Sequence, residues 1–174
     1  MKNEIVDVVI PIYKEKPDED DVLSIRQAFK ILERYPITFV CPQNLDTKNY
    51  QNFGEAVFET FDDKYFKSIY GYNQLSVDFY KRFARKYILI YQTDAYIFKD
   101  NLEFWCGKDY DYIGAPWIRS QEHIPLIKKI WDSTICWLKA LINYRGNQKT
   151  QKDKSLLYNE VGNGGLSLRK RESF

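Results

Sequence analysis

The stretch YILIYQTDAYIF, residues 87 to 98, places a carboxylate almost in the middle of an otherwise apolar segment. Two strand-like runs, Tyr87–Tyr91 and Tyr96–Phe98, flank the polar residues Gln92, Thr93 and Asp94. A buried charge without a partner is costly. Asp94 is therefore expected either where the strand leaves the sheet for solvent, or where it holds a cation.

Length and composition indicate one domain of 174 residues with a substantial core, since 44% of the residues are hydrophobic. Aromatic residues make up 17% of the chain, which serves either a large core or a sugar- or base-binding pocket. The formal net charge is only +2, so no nucleic-acid partner is expected.

Cysteine usage and the absence of long apolar runs predict a cytoplasmic protein. Three cysteines without CxxC spacing argue against a zinc site or a disulfide framework. The N-terminus lacks the features of a signal peptide, and no run of about 18 apolar residues occurs. At most, we expect peripheral attachment to the inner membrane face.

Hydrophobic periodicity predicts strands that alternate with helices. The predicted strands besides Tyr87–Phe98 are Ile5–Ile12, Ile37–Cys41, Ala56–Phe61 and Tyr110–Pro116, and the predicted helices are Asp20–Arg34, Asn73–Lys86 and Asn101–Trp105, the last under an Asp100 cap. This alternation favours an α/β fold with a mostly parallel sheet, whose ligands bind at the carboxyl ends of the strands. Pro11-Ile12-Tyr13, Cys41-Pro42 and Gln92-Thr93-Asp94 would lie there.

Residues 123–145 have a broad apolar stripe at helical spacing, with lysines off that stripe. This helix either docks on the core or rests on a bilayer or a partner. Residues 145–156 are polar without a period and predict a mobile loop.

Two groups of residues point to ligand chemistry. Asp94 at a strand end is placed to hold Mg²⁺ or Mn²⁺ against a diphosphate, although an Asp that accepts backbone hydrogen bonds in a turn fits the same pattern. The second group is VGNGGLSLRKR, residues 161–171, in which Gly162, Gly164 and Gly165 surround Asn163. It predicts a loop that brings its backbone close to a ligand, or a plain glycine-rich turn.

Four segments together, DVVIPIY, ILIYQTDAYIF, YDYIGAPW and VGNGGLSLR, resemble the DUF5672 group, which is itself similar to GT-A nucleotide-sugar glycosyltransferases. The resemblance implies a Rossmann-like GT-A fold, with helices flanking a mostly parallel sheet, and a DxD-type motif that binds Mn²⁺ or Mg²⁺ and the donor diphosphate. Donor binding then falls to Pro11, Ile12, Tyr13, Gln92, Thr93 and Asp94, with Asp94 as metal ligand; acceptor binding falls to Trp117, Asn163, Gly164 and Gly165.

The chain departs from that pattern at two points. Gln92 stands where the motif has its first acidic residue, so a metal would be weakly held or dispensable. The chain also stops at Phe174, before the acidic segment expected to supply a catalytic base, and a truncated C-terminus is therefore expected.

The implied function is transfer of a sugar from a nucleoside-diphosphate donor to a hydroxyl of a glycan or lipid-linked acceptor in surface polysaccharide synthesis. The alternative is a non-catalytic nucleotide- or glycan-binding domain, or an inactive fragment. The expected organisation is one domain over residues 1–174. Residues 1–100 form the nucleotide-sugar half and residues 101–174 the acceptor half, which includes the amphipathic helix and loop of 123–156.

Overall fold

The computed structural model describes residues 5–62, 77–116, 134–135, 138 and 161–174, with side chains from residue 164 onward in the last range. Its strands are β1 (Val6–Pro11), β2 (Ile37–Pro42), β3 (Val57–Phe61), β4 (Tyr87–Tyr91), β5 (Tyr112–Pro116) and β6 (Val161–Lys170). Its helices are α1 (Glu19–Ile31), α2 (Val77–Tyr80) and α3 (Leu102–Cys106), with 3₁₀ turns at Lys48–Tyr50 and Arg171–Ser173.

The six strands form one sheet in the order β3-β2-β1-β4-β6-β5. β1 pairs in parallel with β2 and with β4, and β2 pairs in parallel with β3. β6 runs antiparallel to β4, with Leu166 opposite Tyr91. The predicted α/β fold with a mostly parallel sheet is confirmed.

The central strands are buried on both faces, which explains their nearly continuous apolar sequences. On one face Val8 and Ile10 of β1 join Leu89 of β4 and the apolar side of α1 in the larger core cluster. On the other face Val9 and Ile90 pack in a second cluster with aromatic residues of the α2 region. The exception within β1 is Asp7, whose carboxylate accepts hydrogen bonds from the backbone and guanidinium of Arg85 at 3.0 and 2.6 Å.

Helix α1 begins where the sequence provides a capping box. Asp18 accepts a hydrogen bond from the Asp21 backbone N–H, and the Asp21 carboxylate accepts one from the Asp18 backbone N–H. Ile25, Ala28 and Leu32 are fully buried on the side that faces the sheet. Hydrophobic periodicity predicts a helix to Arg34, whereas α1 ends at Ile31.

Two predicted elements are shorter than the sequence indicated. Within the described residues α2 ends at Tyr80 rather than Lys86, because the Arg82 and Phe83 N–H groups bond carbonyls three residues back and the Arg85 N–H bonds Asp7. Residues 73–76 of the predicted helix lie outside the described part. The strand predicted through Phe98 ends at Tyr91, because the Ala95 N–H turns back to the Gln92 carbonyl at 3.0 Å.

The predicted helix cap at Asp100 is partly correct. Asn101 occupies the cap position of α3 without a side-chain cap bond, whereas the Asp100 carboxylate accepts a hydrogen bond from the Leu102 N–H at 3.0 Å. Asp100 also pairs with Arg34 at 2.8 Å, which ties the start of α3 to the end of α1.

The chain divides into two compact units. The first comprises Met1–Ile113 with Gly164–Phe174 and contains almost all described residues; the second is Gly114–Asn163. Most of the amphipathic segment 123–145 and the loop of residues 145–156 lie outside the described residues, apart from helical positions 134, 135 and 138. No helix within the described ranges is long and apolar enough to cross a bilayer.

Candidate functional site

The predicted ligand-binding segments converge at one edge of the sheet. β1 and β4 are parallel neighbours, so Pro11-Ile12-Tyr13 and Gln92-Thr93-Asp94 follow their carboxyl ends side by side. The chain passes from β1 to β2 and β3 on one side, and returns with β4 on the other. The gap between β1 and β4 is therefore the topological switch point, where open α/β sheets bind ligands.

The turn after β4 places Asp94 in solvent, which answers the question raised by its apolar surroundings. Asp94 is exposed, whereas Gln92 and Thr93 are half-buried. No hydrogen bond or ion pair reaches the Asp94 carboxylate from the part of the chain that the structure describes. Its oxygens are thus free to accept a ligand.

The buried hydroxyl of Tyr91 holds this turn in position through hydrogen bonds. The Tyr91 hydroxyl lies 2.9 Å from both the Ser24 hydroxyl of α1 and the Ala95 carbonyl. Tyr91 is fully buried, and this burial raises the pKa of its phenol. The neutral phenol can therefore donate at any physiological pH, and the turn is bound to the helix that follows β1.

A charged cluster joins the two strand ends across the switch point. The Lys14 ammonium lies 2.5 Å from Asp18 and 2.8 Å from Asp21, and the Thr93 hydroxyl donates a hydrogen bond to the other oxygen of Asp21. The bonds to Asp18 and Asp21 raise the pKa of Lys14, and the bond from Lys14 lowers the pKa of Asp18. Lys14 is therefore protonated, and the carboxylates of Asp18 and Asp21 balance its charge.

Of the three donor-site residues predicted at the end of β1, only Tyr13 exposes its side chain to solvent. Pro11 and Ile12 are buried, and the Ile12 N–H extends the β1–β2 ladder to Val40 at 2.8 Å. Tyr13 is 60% exposed, with the Lys14 ammonium 5.8 Å from its ring. Pro11 and Ile12 shape the edge, while the Tyr13 ring is available to a ligand.

The predicted glycine loop is wrong, because Gly162, Gly164 and Gly165 lie in strand β6. The Gly165 carbonyl accepts a hydrogen bond from the Gln92 N–H at 2.7 Å, which continues the β4–β6 ladder beyond the last paired residues of β4. The antiparallel direction nonetheless brings Gly164 and Gly165 to the edge that carries Gln92. The side chain of Asn163 and the whole of Trp117 lie outside the described part.

Buried polar contacts hold the start of β6. The Ser167 hydroxyl donates to the Gly164 carbonyl at 3.1 Å and accepts from the Arg169 guanidinium at 3.0 Å. Arg169 also donates to the Tyr80 hydroxyl at 2.8 Å. A Cβ at Gly164 would lie 3.2 Å from the Arg169 guanidinium, so the glycine permits this close packing.

The residues around Asp94 fit a divalent cation that takes few protein ligands. Mg²⁺ and Mn²⁺ accept one or two carboxylates together with phosphate oxygens and water. Asp94 offers a free carboxylate, whereas Asp21 is engaged by Lys14 and Thr93. Within the described ranges no group of three acidic, His or Cys side chains could hold a metal by itself. Such a site needs the ligand's own phosphates.

A cavity of about 390 Å³ opens at the same edge, beyond the ends of β2 and β3. Its lining is polar and charged around one ring, and consists of Gln43, Thr60, Phe61, Asp62, Asp78, Lys81 and Arg82. The Arg82 guanidinium lies 4.9 Å from the centre of the Phe61 ring and 3.2 Å from Glu59. Phe61 itself is only 6% exposed, with Arg82 over its ring and the Phe79 ring centre 5.7 Å away, so a ligand in this cavity would meet mainly the polar side chains.

Sequence reasoning missed the Lys14–Asp18–Asp21 cluster and this cavity. The run of acidic residues at 18–21 is visible, but it signals a helix start as readily as a binding site. The link from Asp21 to Thr93 spans more than seventy residues of sequence and depends on the β1–β4 pairing.

Comparisons with known proteins agree with this fold. One solved structure similar to the chain is core-mannan synthase A from Aspergillus fumigatus in its Mn/GDP form, with 13% identity and a TM-score of 0.50 over 96% of this chain and 59% of that one. Another is mannosyl-3-phosphoglycerate synthase from Rubrobacter xylanophilus, with 15% identity and a TM-score of 0.50 over 98% of this chain and 54% of that one.

At these identities the likeness concerns the fold alone, and it confirms the Rossmann-like GT-A architecture. The chain spans between one half and three fifths of the length of these structures. No curated protein sequence gives a significant match. The family model described as a protein of unknown function (DUF5672) matches residues 55–174, which is more than half of the chain, and the chain therefore belongs to the DUF5672 family.

Proposed function

We propose that this protein is a glycosyltransferase that moves a sugar from a nucleoside-diphosphate donor to a hydroxyl acceptor. The observation that carries the proposal is the free Asp94 carboxylate, exposed on a turn at the switch point of a glycosyltransferase-like sheet. An exposed carboxylate repels a diphosphate, so the two are compatible only with a cation between them.

In the proposed donor site the diphosphate lies over the gap between β1 and β4. A divalent ion, Mn²⁺ or Mg²⁺, would be held by Asp94 and would neutralise charge that develops on the leaving diphosphate. Thr93 keeps the turn in place through Asp21, and the Tyr13 ring covers one side. The Mn/GDP form of core-mannan synthase A is consistent with such a donor.

The cavity beyond β2 and β3 is the proposed position of the nucleoside. β3 lies three strand spacings from β4, or about 14 Å at roughly 4.8 Å per spacing. That distance suits an extended nucleoside diphosphate whose phosphates are at Asp94. Gln43 and Asp62 would bond polar groups at the edge of the base.

The acceptor is proposed to be a glycan or lipid-linked glycan in surface polysaccharide synthesis, on the side of the edge where β6 begins. The Gly165 carbonyl bonds the Gln92 N–H at this place, and Trp117, Asn163, Gly164 and Gly165 remain predicted acceptor residues. The cytoplasmic location and peripheral membrane contact through residues 123–145 also remain predictions. Flotation with neutral and anionic vesicles tests the membrane contact.

A non-catalytic nucleotide- or glycan-binding domain is the second candidate. It is favoured by the state of the two carboxylates in the cluster next to the β4 turn: Asp18 and Asp21 are both bonded to Lys14, and Asp21 also to Thr93, so neither is free to act as a base. An inverting transferase requires a base for the acceptor hydroxyl. The two candidates share the donor site and differ in turnover, so release of free sugar or transfer from a donor distinguishes them.

Calorimetry with UDP and GDP, each with Mn²⁺ and with EDTA, tests the donor site. We expect one nucleotide to bind at least about tenfold more tightly with Mn²⁺, a gain of about 1.4 kcal/mol, and Asp94→Asn to abolish that gain. Asp20→Asn is the matched control, since Asp20 is also exposed and has no partner in the described residues. Equal affinities in all conditions would leave Asp94 without a metal role.

A further inference from the structure

A second cavity, of about 370 Å³, lies between α1 and the segment after β2, beside the loop that carries Lys14 and Glu15. One wall is formed by Val22 and Arg26, one turn apart on α1, and the other by Asn49, Asn52 and Phe53 after β2. Lys16 and Pro17, which precede the Asp18 cap of α1, complete the lining. Nothing in the proposed donor site uses these residues.

The charge of this cleft is positive and uncompensated by its own lining. Lys16 and Arg26 are both exposed, and neither has an ion pair or hydrogen bond within the described part of the chain. No carboxylate lines the cavity. Surface cations elsewhere in the described residues are commonly paired, as Lys14 and Arg34 are. Two unpaired cations in one concave site favour an anionic ligand.

The neutral walls favour a polar, sugar-sized body for that ligand. The Asn49 amide N–H donates to the Glu15 carbonyl at 2.9 Å, so its own carbonyl oxygen is left to accept a hydrogen bond. Asn52 offers a full amide, and Val22, Pro17 and the Phe53 ring supply an apolar floor. Hydroxyls that bond amides while a ring face packs on apolar groups are the ordinary contacts of a sugar.

The wall opposite α1 is held in place by ring packing and a hydrogen bond. Phe53 packs against Phe29 and Tyr50, with ring centres 6.5 and 6.1 Å apart, and the Tyr50 hydroxyl donates to the Lys14 carbonyl at 2.8 Å. Gly54 next to it has a φ of +151°, with the Phe29 ring where a side chain would be. A preformed wall spares the entropy of ordering it on binding.

We propose that the cleft between α1 and residues 49–53 binds a sugar that carries a phosphate or carboxylate, at a site separate from the donor site. Lys16 and Arg26 bind the anionic group, and the two asparagines bind hydroxyls. Its volume lies at the small end of ligand pockets, which suits one sugar unit with its charged substituent. An acidic residue of a growing polysaccharide and a free sugar phosphate share this chemistry.

Titrations at low ionic strength with EDTA present test the proposal, using glucose 6-phosphate, glucuronate, inorganic phosphate and glucose as probes. We expect glucose 6-phosphate or glucuronate to bind more tightly than inorganic phosphate or glucose, with affinity that falls as salt rises. Binding of glucuronate would indicate a polysaccharide source, and binding of glucose 6-phosphate alone a sugar phosphate. Equal binding of inorganic phosphate and glucose 6-phosphate, or no binding, overturns the proposal.

Variants locate the site and separate it from the donor site. The double variant K16Q/R26Q should weaken binding of the probe at least tenfold, whereas Lys99→Gln, which removes an exposed charge outside α1 and outside the cleft, should not. Asp94→Asn should leave this binding unchanged even where it abolishes Mn²⁺-dependent nucleotide binding. Unchanged binding in K16Q/R26Q, or an equal loss in Lys99→Gln, contradicts the site. Melting temperatures verify that each variant is folded.

Discussion

Substitution of Asp21 by asparagine tests whether the cluster across the switch point holds the site together. The Asp21 carboxylate accepts three hydrogen bonds, from the Lys14 ammonium, the Asp18 backbone and the Thr93 hydroxyl. Its side chain is only 10% exposed. In Asp21→Asn one oxygen becomes an amide N–H donor that can accept none of these bonds, and the remaining oxygen has no full charge.

The loss in free energy of unfolding follows from those contacts. A hydrogen bond to a charged group contributes roughly 1.5–3 kcal/mol, and a helix cap about 1 kcal/mol. Lys14 is 37% exposed and keeps its ion pair with Asp18 at 2.5 Å. Losing the ion pair between Lys14 and Asp21 therefore costs little, because water and Asp18 still stabilise the ammonium. We expect Asp21→Asn to cost about 3 kcal/mol, which for a chain of this length lowers the melting temperature by roughly 6–12 °C.

Urea denaturation and nucleotide titration provide the two measurements. Asp20→Asn is the control, because Asp20 is in the same turn of α1 but exposed. Thr93→Val removes only the hydroxyl that bonds Asp21, and the two substitutions should be non-additive by at least about 0.5 kcal/mol. If Asp21→Asn unfolds at the same urea concentration as Asp20→Asn, the cluster does not couple α1 to the β4 turn.

Three further outcomes follow from the described contacts. Gly164→Val should lower the melting temperature without backbone strain, because β6 is extended there and the new side chain meets the buried Arg169 guanidinium. Calorimetry measures the melting temperature, and a value equal to that of the wild type would contradict this packing. Gly54→Ala should destabilise more than Gly107→Ala in the same assay, because φ at Gly54 is +151° and its Cβ would lie 2.6 Å from Phe29. Hydrogen bonds from Lys86, Tyr87 and Lys170 lower the pKa of Asp109 to about 2 from its ordinary 3.8. That stabilisation exists above about pH 4 and is lost as pH falls towards 2. Between these pH values the free energy of unfolding of Asp109→Asn should therefore fall less steeply than that of the wild type, as measured by acid titrations followed by circular dichroism.

The central strands of the sheet could be predicted from the sequence because nearly all of their residues are apolar. Val6–Pro11 and Tyr87–Tyr91 are buried at every position, and a run of that kind reads as a parallel strand. The helix boundaries were less predictable. Lys81–Lys86 continue an amphipathic pattern after α2, but the buried Asp7 on a distant strand binds the Arg85 N–H, and no local pattern reveals that competitor.

The prediction of a loop at the glycines of β6 is wrong for a related reason. Clustered glycines normally predict a turn, because sequence gives no sign of a partner strand. Here Gly165 is paired to Gln92, and the buried Arg169 occupies the space that a side chain at Gly164 would need. The antiparallel β4–β6 pairing brings this segment next to the Gln92–Asp94 turn, and no local pattern in the sequence shows that proximity.

The charges around the switch point determine how a diphosphate could be held there. In many nucleotide-binding sheets the first helix presents bare N–H groups and a positive dipole end to phosphate. In this chain the first turn of α1 carries Glu19, Asp20 and Asp21 after the Asp18 cap, and Lys14 is engaged by two of these carboxylates. In the cluster at the switch point two carboxylates, Asp18 and Asp21, outnumber the one ammonium of Lys14, so this cluster repels a phosphate. A donor at this edge therefore has to lie towards the β4 turn, where Asp94 can accept a metal ion, and its affinity should depend on that ion more than on α1.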